Sequence, residues 1–229
     1  MEHTPRKHTA VMRDTLPLKG QRILDVGCGD GGLVRFMTRE GARVTGLECS
    51  DGQLGRARAA APVADEDYRS GVGQDLPFED ATFDVVVFFN SLHHVPVDDQ
   101  PGALAEAQRV LKPAGEIYIL EPIAEGAFFE MMRPIEDETS VRAYAYEAIL
   151  AAAKGPAVSE HRELTYAAPL RYDSFEACRD GMIAVDEKRR AAVEAEGEKL
   201  RTAFITAARF EDGAYHFATP SRLNLLRHR

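Results

Sequence analysis

Short apolar runs alternate with amphipathic stretches through the first 120 residues. "RILDV" (22–26) is short, largely apolar and runs into glycines, which predicts a buried strand. "GGLVRFMTREG" follows, with Leu33, Phe36 and Met37 at helical spacing and Gly41 as a stop, so a helix is expected. "RVTGLE" (43–48) reads as the second strand. "SDGQLGRARAAAP" reads as a helix opened by Ser50 or Asp51 and closed at Pro62. "DVVVFFN" (84–90) is β-branched and aromatic on both faces, the mark of a central parallel strand. In "DDQPGALAEAQRVLKPAG", Asp98 or Asp99 is the expected cap and Pro101 suits the first turn. Leu104, Ala107, Gln108 and Leu111 share a face, and Pro113 and Gly115 end the helix. "EIYILEP" (116–122) is another buried strand. The rhythm specifies an α/β fold with a doubly wound, parallel sheet.

From about residue 123 the rhythm changes. "AFFEMMRPIEDETSVRAYAYEAILAAAKG" is helical in pattern, broken at Pro134, with Val141, Tyr144, Ala148 and Ala152 along one stripe. "HRELTYAAPLRY" (161–172) is strand-like, and the segment from Asp173 to Phe210 is helical and rich in charge. Its Glu/Lys/Arg run over 186–201 reads as a solvated helix face. "GAYHFATPSRLNLLR" closes the chain as a strand, its alternating Leu223, Leu225 and Arg222, Asn224 suggesting one wet face.

Composition narrows the class. The 229 residues suit a single α/β domain with an elaboration, and the net charge of −9 argues against a nucleic-acid partner. Three cysteines, Cys28, Cys49 and Cys178, without a C-x-x-C pair fit neither a disulfide framework nor a zinc site. His161, His216 and His228 show no metal-ligand spacing with acids or cysteines, so no metal is expected. The first twenty residues lack the apolar region of a signal peptide, and no apolar run approaches a membrane span. The cytoplasm is the expected compartment; the oligomeric state cannot be read.

Candidate chemistry concentrates in "LDVGCGDGG" (24–32), where a strand, glycines and a helix meet. Gly27, Gly29 and Gly32 satisfy the dinucleotide fingerprint, which alone is weak evidence. Asp25 weighs against a dinucleotide, because a carboxylate there would repel a pyrophosphate and favour a ligand carrying an amino group and a sulfonium. Asp25 also has a plainer reading, as an acceptor for loop N–H groups. Glu48 ends the second strand, placed for ribose hydroxyls, and fits a nicotinamide dinucleotide equally well. Asp75 lies in the loop before the strand at 84–90, where it could accept from an adenine amino group or merely start a turn before Pro77. "LHHV" and "RVLKPAGEIYILEP" follow in order.

This ordered series resembles the class I S-adenosylmethionine (SAM)-dependent methyltransferases, in the style of the ubiquinone and menaquinone C-methyltransferases and small-molecule O- and N-methyltransferases. The resemblance covers residues 20–122 and implies a mostly parallel seven-stranded sheet with the last strand antiparallel and an added helical cap. It implies one methyltransferase domain over 1–229, with a SAM-binding core at 20–122 and a substrate-covering elaboration at 123–215, joined in part by residues 1–19. By resemblance, Asp25 and the backbone of Gly27, Cys28 and Gly29 hold the methionine part of SAM, and Glu48 holds the ribose hydroxyls. Cys49 packs on adenine, Asp75 meets the adenine amino group, Leu76 lines the ring, and Asn90 presents its backbone to the methionine amino group. Cys28 reads as a small filler and not a nucleophile.

The implied reaction is an in-line displacement that moves the methyl group to a small-molecule acceptor at O, N or C, releasing S-adenosylhomocysteine. Positioning alone can lower such a barrier by roughly 7–11 kcal/mol, so no triad or metal is required. A base helps when the acceptor is a hydroxyl or an acidic C–H. His93 and His94 lie beyond the strand at 84–90, at the sheet end where ligands bind, and an unperturbed histidine titrates near pH ~6.5. The "HH" pair could equally hold the loop beneath SAM. Glu121 ends the next strand and could orient a substrate or cap the strand. Phe128, Phe129, Met131, Met132, Tyr144 and Tyr146 supply apolar surface for a lid or for ordinary packing. Two other classes stay open: a SAM-binding sensor or partner subunit without turnover, and an oxidoreductase using NAD or FAD.

Overall fold

The computed structural model describes residues 5–228. In chain order the elements are α1 (His8–Thr15), β1 (Arg22–Val26), α2 (Gly32–Arg39), β2 (Arg43–Glu48), α3 (Asp51–Ala59), β3 (Asp67–Ser70), β4 (Phe83–Phe89), α4 (Gln100–Val110), β5 (Leu111–Pro122), α5 (Ala127–Met132), α6 (Thr139–Lys154), β6 (Val158–Tyr172), α7 (Phe175–Val185), α8 (Arg190–Ala207), β7 (Arg209–Glu211) and β8 (Ala214–His228). The sheet runs β3-β2-β1-β4-β5-β8-β6, with β7 paired to β8. Thus the expected seven strands are joined by an eighth, the three-residue β7, and β8 is antiparallel to it. β1, the most central of the early strands, pairs in parallel with β2 and β4. None of the described helices is long and apolar enough to cross a membrane.

The chain divides into two compact units. The larger gathers Thr9–Glu121, Val141–Leu164 and Arg222–His228 of the described residues. Its core holds Leu24, Val26, Phe83, Val86 and Phe88 with Leu104 and Ala107 of α4 and Ile149 of α6. The smaller gathers Pro5–His8, Pro122–Ser140 and Thr165–Ser221 of the described residues. Its core is rich in aromatic residues, with Phe175, Phe204 and Phe217 packed beside Cys178 and Met182. The elaboration expected over 123–215 is therefore not one block. Most of α6 and the first half of β6 cluster with the larger unit, because Ala145 and Ile149 complete its core.

Four local expectations need correction. The stripe through Val141 and Tyr144 is misplaced: Tyr144 is 49% exposed, and Ala145 and Ile149 carry the buried face. The six alanines in α6 fit either face, so spacing alone could not phase it. On α2 the buried positions are Val34, Met37 and Thr38, while Leu33 and Phe36 are half-buried. β8 has no wet face at Asn224, which is 1% exposed. Its amide donates to Glu160 at 2.8 Å and Glu163 at 2.9 Å, so a buried polar group is satisfied within the larger unit.

The fourth concerns "LKPAG". Helix α4 ends at Val110, ahead of Pro113, and β5 begins at Leu111 instead of residue 116. The β4–β5 register jumps from Phe83↔Leu111 to Val85↔Glu116, so the turn is a bulge within the strand. Gly115 passes so close that an added Cβ would lie 2.8 Å from the Asp84 carbonyl oxygen.

Candidate functional site

All twelve residues singled out as binding or catalytic lie in the larger unit, at or beyond the carboxyl ends of β1, β2, β4 and β5 or in the loop before β4. Parallel strands end side by side, which is why residues scattered over a hundred positions of sequence gather at one rim.

Asp25 sits in register between Gly46 of β2 and Val87 of β4 and is 1% exposed. Neither of its carboxylate oxygens has a hydrogen-bond partner among the described residues, so Asp25 does not serve the loop's N–H groups. Burial, reinforced by the nearby negative charge of Glu48, pushes its carboxyl up to about 7. A carboxylate in this position is costly until a cation or donor reaches it.

The loop's own N–H groups are occupied. Gly27 and Cys28 both donate to the Leu47 carbonyl, at 2.8 and 3.0 Å, and Gly29 donates to Oε2 of Glu48 at 2.9 Å. These three residues therefore offer a ligand close backbone approach more than free donors. Gly27 and Gly29 adopt left-handed φ of 76° and 57°. A Cβ on Gly27 would strike Ser91 Cβ at 2.6 Å, whereas Gly29 faces open space. Cys28 is buried, its thiol driven upward by desolvation and the charges of Asp25 and Glu48, which fits a filler and not a nucleophile.

Glu48 is 8% exposed. Its Oε1 accepts the Ser50 N–H at 2.8 Å, and Oε2 holds Gly29. A carboxylate has about four lone-pair sites, so both oxygens retain capacity for a diol. Cys49 is exposed, with its thiol toward Glu48 Oε1 at 3.6 Å. Asp75 is exposed in a tight turn that its N–H closes on the Val72 carbonyl at 3.3 Å. Leu76 beside it is 3% exposed.

Sequence reasoning missed what holds this loop. Glu106 of α4 accepts the Leu76 N–H at 2.9 Å, and Arg109 donates to the carbonyls of Leu76 at 3.0 Å and Phe78 at 2.8 Å. The two clamp residues also pair with each other at 2.6 Å. Their i, i+3 spacing signalled an ion pair, but nothing local pointed to a loop thirty residues upstream. Ser91 was also missed; its hydroxyl donates to the Val26 carbonyl at 2.6 Å and fixes the turn after β4 to the end of β1.

Asn90 has a left-handed φ of 52°, spends its N–H on the Leu120 carbonyl at 2.8 Å, and has a buried Oδ1 without a partner among the described residues. Beyond it, Leu92–His94 form one 3₁₀ turn. His93 is 4% exposed and His94 is exposed, with ring centroids 4.0 Å apart. Glu121, 7% exposed, accepts the N–H of Leu92 at 2.9 Å and of Ser91 at 3.2 Å and contacts Nδ1 of His93.

A family model described as a methyltransferase domain matches residues 24–119. The O-methyltransferase resE of Aspergillus sclerotiorum is 30% identical over 213 residues, covering 89% of this chain and 76% of that protein. The chain belongs to the class I SAM-dependent methyltransferases. The chain is also 36% identical over 136 residues to the 27-O-demethylrifamycin SV methyltransferase of Amycolatopsis mediterranei, covering 55% of this chain and 49% of that protein. It spans about half the length of several curated relatives it matches. A Bacillus halodurans protein, crystallised as a candidate methyltransferase, shares the fold with a TM-score of 0.66 at 22% identity, over 96% of this chain and 98% of that one.

The family implies SAM as methyl donor, and the side chains gathered at this rim fit it. Asp25 is a buried carboxylate lacking a partner among the described residues, suited to an ammonium group, and Glu48 retains acceptor capacity for a ribose diol. The same two carboxylates would oppose the pyrophosphate of NAD or FAD.

Proposed function

We propose that this protein transfers the methyl group of SAM to a small organic acceptor. The observation that carries the reading is Asp25, buried at the end of β1 with both oxygens unpartnered among the described residues. A cationic amino group would satisfy that carboxylate, and Asn90 Oδ1 is a second unpartnered acceptor at the same rim. The open space at Gly29 lets the ligand approach the backbone, and Glu48 accepts from both ribose hydroxyls. Leu76 lines the adenine, Asp75 accepts from its amino group, and Cys49 packs alongside. SAM supplies, when bound, a methyl group already activated by its sulfonium. The chain's task is to align the acceptor and exclude water, and His93, His94 and Glu121 are the polar side chains we assign to the acceptor side. Three unpaired cysteines support action in the cytoplasm.

Calorimetric titration with SAM, S-adenosylhomocysteine, NAD and FAD tests the reading. Heat is expected for the first two alone; a chain that ignores millimolar SAM overturns it. Release of S-adenosylhomocysteine on adding a mixture of organic acceptors then separates an enzyme from a SAM sensor.

A further inference from the structure

We infer that β7 is the contact strand of a weak two-fold dimer, in which a second copy of this chain pairs its own β7 antiparallel to it. β7 lies wholly in the smaller unit, so the dimer stands apart from the methyl-transfer reading. β7 pairs with β8 through Arg209↔His216, Phe210↔Tyr215 and Glu211↔Ala214. Asp212 and Gly213 join the two strands with left-handed φ of 51° and 73°, as a two-residue type I′ turn requires. In such a hairpin the residues flanking the turn, Glu211 and Ala214, exchange hydrogen bonds, and the next pair does not. The N–H and C=O of Phe210 therefore point away from β8, toward an edge that no other strand of the described residues covers. An edge of that kind is a template for a further strand.

The side chains on this edge are complementary to their own copies. Shortness and flanking charge normally discourage edge pairing, yet Phe210 at the centre is 63% exposed, the most of any large apolar side chain among the described residues. Its ring rests on Tyr215 at 4.8 Å between centroids, and Tyr215 rests on the buried Phe204 at 4.8 Å, so the platform is anchored in the core. Arg209 and Glu211 lie on the other face of the strand. They form an ion pair at 2.8 Å with side chains 74% and 52% exposed. A two-fold axis through Phe210 sets it against the partner's Phe210, Arg209 against the partner's Glu211, and Glu211 against the partner's Arg209. Two backbone hydrogen bonds then form at the axis, and the four charges alternate in sign around it. Sliding the pairing by two residues sets Arg209 against the partner's Arg209, or Glu211 against the partner's Glu211, so charge fixes the register. Three residues a side fall far short of the roughly 1,600 Å² that a stable dimer buries, so the association is weak and depends on concentration.

Sedimentation equilibrium of the full chain tests this without ligand or turnover. A monomer–dimer equilibrium is expected, half associated at about 100 µM, and a chain that stays monomeric at about 1 mM overturns the inference. Phe210→Asp places two carboxylates on the axis and is expected to weaken the dimer at least about tenfold. A dimer indifferent to F210D forms through another face, which also overturns it. Charge reversal supplies the second arm. Arg209→Glu alone leaves only acids on the flanks and Glu211→Arg alone leaves only bases, so each is expected to lose about tenfold in self-association. Mixed in equal amounts, the two variants are complementary across the axis and should form a heterodimer at least as tight as the native dimer. The double change, R209E with E211R, should restore self-association. A mixture no more associated than its components, or a double variant as weak as the single ones, shows that the edge does not pair in this register and overturns the inference as well. All three positions are exposed, and recovery of a dimer on mixing itself shows that both variants are folded.

Discussion

The two compact units bury different things. In the larger, carboxylates and a histidine are buried at strand ends: Asp25, Glu48, His93 and Glu121 are all under 9% exposed. In the smaller, the buried cluster is aromatic and apolar, with Phe204 at its centre touching Phe175, Tyr215 and Phe217 in edge-on and tilted pairs. The buried polar atoms that lack partners among the described residues, such as both oxygens of Asp25 and Oδ1 of Asn90, fall in the larger unit. Unsatisfied buried polarity lowers stability, and a ligand reaching the rim would relieve that cost at Asp25 and Asn90. The aromatic unit carries no such cost and reads as packing.

This contrast can be broken experimentally, beginning with the largest effect. Phe204→Ala removes a fully buried ring from the smaller unit and is expected to destabilise the protein by about 3–5 kcal/mol while leaving SAM affinity at low temperature unchanged. Thermal melts and calorimetry check both; a matching loss of affinity would erase the division of labour.

Asp25→Asn should do the reverse. The folded carboxyl, raised to about 7 from 3.8, binds its proton more tightly than the unfolded one. Its contribution to stability is therefore fully present below the unfolded value and is lost as pH rises through the folded one. The lost part amounts to at most about 4 kcal/mol for a shift of this size. In D25N that decline between pH 4 and 7 should flatten, and the free protein should melt higher at pH 8 than the native chain. SAM binding should fall about 100-fold, as expected for loss of a charged hydrogen bond. In the native chain affinity should weaken below pH 7, by up to about tenfold per pH unit, as Asp25 takes up a proton. Melting curves and titrations across pH 5–8 decide it.

Smaller effects sharpen the picture. Glu106→Gln weakens the clamp on the Leu76 loop and is expected to reduce SAM affinity by about three- to tenfold, near the net worth of one hydrogen bond. On α6, Ile149→Ala should destabilise by about 2–5 kcal/mol and Tyr144→Ala by less than about 0.5 kcal/mol. Equal effects would restore the face predicted from spacing.

The alternation of apolar runs and amphipathic stretches determined β1, β2 and the α/β class, because each is specified by its own short window. β1 and β2 were read to the residue, and β4 to within one. The ordered acids and glycines likewise carried the family, since SAM-type chemistry needs them at successive strand ends. Tertiary structure alone decided the rest. It phased α6, placed Asn224 between Glu160 and Glu163, recruited α6 and half of β6 to the larger unit, and joined Glu121 to His93 across two neighbouring strands. Each of these depends on a contact between residues far apart in the chain, whose energy no local pattern records.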